Sequence, residues 1–161
     1  MRGHPASPAR CEPYDLWEAC SRSAKPLDWS SPIVFGVGPS DIVGRSGGKP
    51  VYVTSTVRLD LCQVTEADAL SAARACAELS RMGIWAVSPV VLGAAMLEVD
   101  MHLKINEPVG WAKQVAGLRN AAGTIWVPAC RGWARCPQIW ADVQWAASRG
   151  VPVMVEAKGV M

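Results

Sequence analysis

The chain has 161 residues, of which 50% are hydrophobic and 19% are charged, and its formal net charge is +2. This length fits one domain with a sizeable core, and the small charge argues against a nucleic-acid partner, which needs a strongly basic surface. The first residues lack the apolar core of a signal peptide, and no later apolar run is long enough to cross a membrane, so we expect a cytoplasmic protein without a membrane partner.

Cysteine and tryptophan are the residue types whose numbers invite a functional interpretation. The six cysteines form no Cys-x-x-Cys pair and the chain has only two histidines, so we expect neither a structural metal nor a cofactor. The eight tryptophans are most simply explained as filling the core and interfaces. Because so many are hard to bury in one small domain, we expect a homo-oligomer, a dimer or larger.

The first 48 residues differ in composition from the rest of the chain. Proline, serine and glycine are dense here, so residues 36–50 are predicted to be a loop, with one short strand at Ile33–Val37. Residues 1–48 are therefore predicted to be an irregular N-terminal extension, and residues 49–161 to be the folded domain.

From Lys49 onward, segments with strand and helix patterns alternate. The predicted strands are 51–56, 84–91, 124–129 and 151–157. The predicted helices are 64–83, 108–121 and 137–149, and the first of them has Thr65 as its N-cap and Gly83 as its end. Residues 92–110 are predicted to form a short helix plus a loop. This alternation is typical of a small doubly wound, Rossmann-like α/β domain, a parallel sheet of four to five strands with helices on both faces.

In such sheets ligands bind beyond the carboxyl ends of the strands, which selects three segments for inspection. At the end of the first strand lie Thr54, Ser55 and Thr56, and Arg58 follows them. Their hydroxyls, the guanidinium and the loop amides could cradle a phosphate. Alternatively, the hydroxyls merely end a strand and Arg58 is solvated. Ser88 and Pro89 lie near the end of the second strand, and residues 128–142 begin at the end of the third.

The last predicted helix is largely apolar but carries a single acid, Asp142. One interpretation is an exposed helix position, where most acids lie. The other follows from its neighbours: Pro137 fits the first helical position, and Ile139 and Ala146 lie near the same face as Asp142. Apolar surroundings would raise the pKa of the Asp142 carboxyl and suit it to act as a nucleophile or base.

Residues 51–155 resemble the nucleoside 2-deoxyribosyltransferase-like superfamily, including its nucleoside 5'-monophosphate N-glycosidases and small proteins with the pattern G-W-x-x-S-x-G-x-x-x-E. The matching positions are Gly132 and Trp133 for the GW, Cys136 for the serine, Asp142 for the glutamate, and residues 150–153 for the G-[IV]-P-[IV] that opens the last strand. The run VYVTSTVR is similar to Y-x-x-G-S-I-R, which puts Thr56 on the phosphate-binding serine and Arg58 on the arginine. Residues 88–91, SPVV, also fit.

The resemblance implies a reaction and a ligand. Asp142 would attack the anomeric carbon of a (deoxy)ribosyl group in a nucleotide or nucleoside, the base would leave, and water or another base would resolve the glycosyl ester. Ser88 and Trp133 would line the pocket, and a neighbouring subunit would complete it.

The chain also departs from the family pattern. Asp142 is one methylene shorter than glutamate, and the family's two helper acids fall on Val115 and Gly123; Glu98, Asp100 or Glu107 could replace them. Two hypotheses therefore stand: an N-glycosidase or transferase, and a catalytically inactive nucleotide-binding or assembly protein on the same scaffold.

Overall fold

A five-stranded parallel sheet organises the chain in a computed structural model that describes residues 25–56, 64–100 and 108–156. The elements are, in chain order, β1 (Ile33–Phe35), α1 (Pro39–Ile42), β2 (Val51–Val53), α2 (Glu66–Arg81), β3 (Ala86–Val87), α3 (Pro89–Val99), α4 (Pro108–Ala121), β4 (Thr124–Val127), α5 (Pro137–Arg149) and β5 (Val153–Val155), with a 3-10 turn at Trp133–Arg135.

The strands lie in the order β1-β5-β4-β2-β3, and every neighbouring pair is parallel. All residues of β2, β4 and β5 are buried, because parallel strands with helices on both faces have no solvent side. The predicted doubly wound α/β fold is confirmed.

Two hydrophobic clusters cover the two faces of the sheet. On one face, Tyr52 of β2 and Ile125 of β4 belong to the same cluster as Val115 of α4 and Ile139 of α5. On the other face, α1 and α2 contribute Ile42, Ala75 and Leu79, which cluster with residues of the sheet that include Val51, Val53 and Trp126. The helix α5 therefore lies against the face that carries the Tyr52 side chain.

Local signals fix the ends of the helices that bracket this core. The Thr65 hydroxyl accepts a hydrogen bond from the Asp68 amide and caps α2, as predicted, and Gly83 after α2 has a positive φ of 74°. Helix α5 begins at Pro137 and is followed by Gly150 in the left-handed conformation, so its predicted bounds are confirmed.

The N-terminal segment is more closely tied to the sheet than its composition indicates. Residues 36–50 are not simply a loop: α1 forms within them, and Ile42 is fully buried. The strand predicted in this region exists as β1 and pairs with β5. The prediction that residues 49–161 fold by themselves, without β1, stays a prediction.

The second predicted strand is shorter than expected. Only Ala86 and Val87 are extended in β3, because Pro89 occupies the first turn of α3. That helix runs to Val99, so the predicted short helix of this region begins three residues earlier than the sequence suggested.

Candidate functional site

The Asp142 carboxylate lies at the carboxyl edge of the sheet and is fully buried, with 0% of the residue exposed. Its Oδ2 accepts hydrogen bonds from the Thr54 hydroxyl at 2.7 Å and the Tyr52 hydroxyl at 3.2 Å. Its Oδ1 accepts from Arg119 Nη1 and from Gln138 Nε2, both at 3.0 Å. These four donors match the roughly four acceptor positions of a carboxylate. The exposed-helix interpretation of Asp142 is therefore wrong.

Each contact to Asp142 comes from a different part of the fold. Tyr52 lies in β2, Thr54 directly after it, and Arg119 near the end of α4, whereas Gln138 is one turn earlier on α5 itself. Tyr52 and Thr54 are 90 and 88 positions away along the chain. The packing of α4 and α5 against the Tyr52 face thus assembles the network.

Opposing effects act on the pKa of the Asp142 carboxyl. Burial raises it above its ordinary value of 3.8, while the hydrogen bonds from Thr54 and Gln138 and the charge of Arg119 oppose that rise. Burial also raises the pKa of the Tyr52 hydroxyl, and the negative charge of Asp142 adds to the effect. Tyr52 therefore stays a hydrogen-bond donor throughout the physiological range of pH.

Arg119 is the cationic partner of Asp142 and is itself packed against an aromatic ring. Its side chain is only 17% exposed, and its guanidinium carbon lies 4.7 Å from the centre of the Trp145 ring. Because α4 and α5 both contribute to this arrangement, Arg119 links the charge of Asp142 to the packing between the two helices.

Side chains of the loop after β2 donate hydrogen bonds to two different acids, Asp142 and Asp68. Thr54 and Ser55 are buried, and the Ser55 hydroxyl has no hydrogen-bond partner among the described residues. Thr56, the residue expected to bind phosphate, donates its hydroxyl to Asp68 Oδ1 at 3.0 Å. A carboxylate therefore lies beside the proposed phosphate position. Arg58 lies outside the described residues.

The loop after β4 reaches the same edge of the sheet. Burial raises the pKa of the Cys130 thiol, and hydrogen bonding to Thr56 acts against that rise, so Cys130 is a neighbour of Thr56. The carboxylate of Glu156, just after β5, accepts a hydrogen bond from the Ala129 amide at 2.7 Å and holds this loop.

The other predicted pocket residues occupy different surroundings. Trp133 and Cys136 are buried in the same hydrophobic cluster as Ile139 of α5, where they shape the start of that helix. Ser88 is the N-cap of α3 and is 5% exposed. The four hydrogen bonds that Asp142 accepts come from other residues, namely Tyr52, Thr54, Arg119 and Gln138.

The structure gives physical reasons for the two missing helper acids. Val115 is buried in the core, and Arg119 takes up contact with Asp142 one turn later on α4. At Gly123, a Cβ would lie 2.5 Å from the Ser46 carbonyl oxygen, so an aspartate cannot occupy this position without moving the backbone. Glu98 and Asp100 are exposed at the end of α3, and Glu107 lies outside the described residues.

Tyr52, Arg119 and Gln138 were not recognised from the sequence as site residues. Gln138 could have been found, because it lies four residues before Asp142 on a predicted helix and thus on the same face. Tyr52 could also have been found, because it takes the tyrosine position of the matched Y-x-x-G-S-I-R run, although it lies inside a predicted strand. Arg119 belongs to no recognised motif.

The described residues were compared with the requirements of a metal site and of a membrane-spanning helix. Among them, no group of three or more His, Cys, Asp or Glu side chains could hold a metal ion. Nor does any helix in these parts of the chain have the length and apolar character needed to cross a membrane.

Comparison with known proteins gives one match. The protein-family model described as "Domain of unknown function (DUF1937)" matches residues 49–158. Searches of curated proteins and of solved structures gave no significant match.

Proposed function

The chain belongs to the DUF1937 family, whose function is unknown, and from the surroundings of Asp142 we propose that it acts on the N-glycosidic bond of a nucleoside or its 5'-monophosphate. Asp142 is the proposed nucleophile. The observation that carries the proposal is the 2.7 Å hydrogen bond between Thr54 and Asp142, because it joins the lone acid of α5 to the loop expected to hold the sugar.

The burial of Asp142 supports a role in stabilising positive charge, and the Arg119 guanidinium, 3.0 Å away, balances part of its negative charge. An oxocarbenium-like centre is best stabilised by a carboxylate that is removed from water, since the Coulomb attraction is then stronger. In the proposed step an Asp142 oxygen forms a bond to the anomeric carbon while the bond to the base nitrogen breaks. The electron pair goes to the base, which takes up a proton from water. Water or another base then bonds to the anomeric carbon, the bond to the Asp142 oxygen breaks, and the carboxylate is regenerated.

One contact must open before this step can occur. Each of the two carboxylate oxygens already accepts two hydrogen bonds. A nucleophilic oxygen needs a free lone pair directed at the sugar. The Tyr52 hydroxyl makes the longest of these contacts, 3.2 Å, and is the donor that we propose moves aside. It can then donate to a sugar oxygen instead.

The test is release of free base from nucleosides and their 5'-monophosphates, followed by chromatography. The parent is expected to release base, and Asp142→Asn to bind the same ligand without releasing base, because the amide lacks the anionic oxygen. Gln144→Ala, at an exposed position on the same helix, is the matched control and should retain the parent rate. Equal rates for the parent and Asp142→Asn would rule out Asp142 as nucleophile.

A specific observation also favours a second function, a nucleotide-binding or assembly protein without catalysis. Asp142 is completely buried and all its acceptor positions are used, which is how a carboxylate behaves when it stabilises packing. In this case ligand binding would be measurable by thermal shift, the parent would release no base, and Asp142→Asn would change only stability.

We also propose that the chain forms a homo-oligomer. Among the described residues, Trp85 is 66% exposed and Val99 is 90% exposed, although large apolar side chains are usually covered. Light scattering after gel filtration should give a mass above 17.2 kDa. Trp85→Ser should lower that mass if the exposed ring lies in the interface.

A further inference from the structure

The hydrogen-bond donors of Asp142 are sorted by chemical type between its two carboxylate oxygens. Among the described residues, Oδ1 accepts from N–H groups, which are Arg119 Nη1 and Gln138 Nε2, each at 3.0 Å. Oδ2 accepts from hydroxyl groups, those of Thr54 at 2.7 Å and Tyr52 at 3.2 Å. The two oxygens of this buried carboxylate therefore have different surroundings.

The two kinds of donor respond differently when a new bond forms at the oxygen that they contact. A guanidinium or amide N–H group can only donate, so a carbon atom bonded to Oδ1 would take a lone pair away from a charged donor. A hydroxyl group can donate or accept and rotates to suit its neighbour, so Thr54 and Tyr52 can adjust to a substituent on Oδ2. Bond formation at Oδ2 therefore sacrifices less hydrogen bonding than bond formation at Oδ1.

The backbone of Thr54 is fixed to the sheet. Its amide donates to the Trp126 carbonyl at 3.0 Å, so the pairing of β2 with β4 continues one residue past Val53. The residue is 1% exposed, and its hydroxyl makes the shortest of the four hydrogen bonds to Asp142. The Thr54 hydroxyl is therefore held in one direction by the sheet itself.

Three donors suffice to orient the carboxylate when the Tyr52 hydroxyl moves aside. Arg119 of α4 and Gln138 of α5 hold Oδ1, and Thr54 holds Oδ2. Because contacts at both oxygens fix the carboxylate plane, the plane cannot turn about the Cβ–Cγ bond without losing hydrogen bonds. Loss of the Tyr52 contact then frees one lone pair on Oδ2, while both acceptor positions of Oδ1 stay occupied.

We propose that Asp142 reacts through Oδ2 and that Thr54 is a positioning residue, which directs this oxygen at the sugar; the inference rests on the proposed function for the reaction itself. Oδ2 bonds to the anomeric carbon as the bond to the base nitrogen breaks, the electron pair leaves with the base, and water gives the base a proton. Oδ1 becomes the carbonyl oxygen of the ester and keeps its bonds from Arg119 and Gln138. When water resolves the ester, the electron pair of the Oδ2–carbon bond returns to Oδ2.

Variants of Thr54 in the full chain test its role in base release. Thr54→Val removes the hydroxyl, and kcat should fall by roughly 10- to 100-fold with KM within about 2-fold of the parent, because the reacting oxygen is misplaced while ligand contacts stay. Thr54→Ala, which puts no γ-carbon beside Oδ2, should show the same loss, and Thr54→Ser should restore most of kcat. Thr124→Val is the matched control, since Thr124 is fully buried at the other end of the sheet and its hydroxyl has no partner among the described residues. A loss of kcat in Thr124→Val equal to that in Thr54→Val, or no recovery in Thr54→Ser, would overturn the proposal.

A carbon-13 nuclear magnetic resonance titration of the Asp142 carboxyl needs no turnover and separates this inference from the proposed function. The hydrogen bond from Thr54 lowers the pKa of this carboxyl, so Thr54→Val should raise that pKa, whereas Thr54→Ser and Thr124→Val should keep the parent value. The titratable side chains bonded to Asp142 among the described residues, Arg119 and Tyr52, are the same in all three variants. Base release by the parent together with an unchanged pKa in Thr54→Val would overturn the role of Thr54 alone. No base release by the parent would overturn the proposed function and, with it, the reaction at Oδ2.

Discussion

Asp142 and Asp68 are two carboxylates near the same edge of the sheet, yet the fold holds them in different ways. Asp142 is fully buried, and two of its donors lie 90 and 88 positions away. Asp68 is partly exposed and accepts from Thr65 and Thr56, which are 3 and 12 positions away. The first acid depends on tertiary packing, and the second on a helix cap. Changes around Asp142 should therefore have larger effects.

The largest effect is expected when Asp142 loses its cation. Arg119→Met keeps an apolar side chain for Trp145 but leaves a buried carboxylate without an ionic partner, which should cost about 3–5 kcal/mol in the free energy of unfolding. Urea denaturation followed by circular dichroism measures this. Arg149→Met is the control, since Arg149 also lies over the Trp145 ring but is exposed, and it should cost less than about 1 kcal/mol. Similar losses in the two variants would show that the ion pair is not important.

A smaller effect should appear in the pH dependence of stability. Burial raises the pKa of Asp142 above 3.8, so in the window between 3.8 and the raised value the folded state binds more protons than the unfolded state. The contribution of Asp142 to stability is therefore present below this window and is lost as the pH rises through the folded-state pKa.

Denaturation at a series of pH values tests the sign of this effect. The free energy of unfolding of the parent, relative to Asp142→Asn, should fall as the pH rises through the window. A relative increase would mean that Arg119 lowers the pKa more than burial raises it, contrary to our account of the network.

At Asp68 the expected change in stability is local and modest. Thr65→Ala removes the side chain that caps α2 and should cost about 1 kcal/mol in the free energy of unfolding, without altering ligand binding at Asp142. Thermal unfolding and circular dichroism measure the loss. A loss of unfolding free energy as large as that of Arg119→Met would contradict the distinction between Asp68, which is held by a helix cap, and Asp142, which is held by tertiary packing.

The smallest effect concerns the choice between a nucleoside and its monophosphate. Asp68 bonds to Thr56, so its negative charge should oppose a phosphate at that position. Asp68→Asn should strengthen monophosphate binding by about 2- to 5-fold and leave the nucleoside unchanged, as calorimetry can determine. Glu66→Gln removes an exposed acid from the same helical turn and should have less effect. An equal change for both ligands would assign Asp68 to packing alone.

The sequence allowed the fold to be predicted where local signals are strong. The Thr65 cap and the Pro137 start are written in neighbouring residues, and both were found correctly. The helix α1 was missed because its surroundings are rich in glycine and serine, although Ile42 is buried by contacts with distant strands. Composition does not reveal such contacts.

The candidate site was predictable only in part. Asp142 was selected because it is a lone acid on an apolar helix, and the structure brings it to Thr54 as the topology suggested. Its pairing with Tyr52 and Arg119 was not predictable, since it depends on how α4 and α5 pack on the sheet. The partner of Thr56 was missed for a similar reason: Asp68 belongs to a helix start 12 residues later.

The proposed role of Asp142 can be tested most directly by trapping the glycosyl ester. The full chain would be incubated with a 2'-fluorinated nucleoside, whose fluorine slows hydrolysis of the ester, quenched in acid and digested for peptide mass spectrometry. We predict that the peptide containing Asp142 gains the mass of the fluorinated sugar, and that Asp142→Asn gains nothing. Release of free base by the parent with no adduct on that peptide, or with an adduct on another residue, would contradict the assignment of Asp142 as nucleophile.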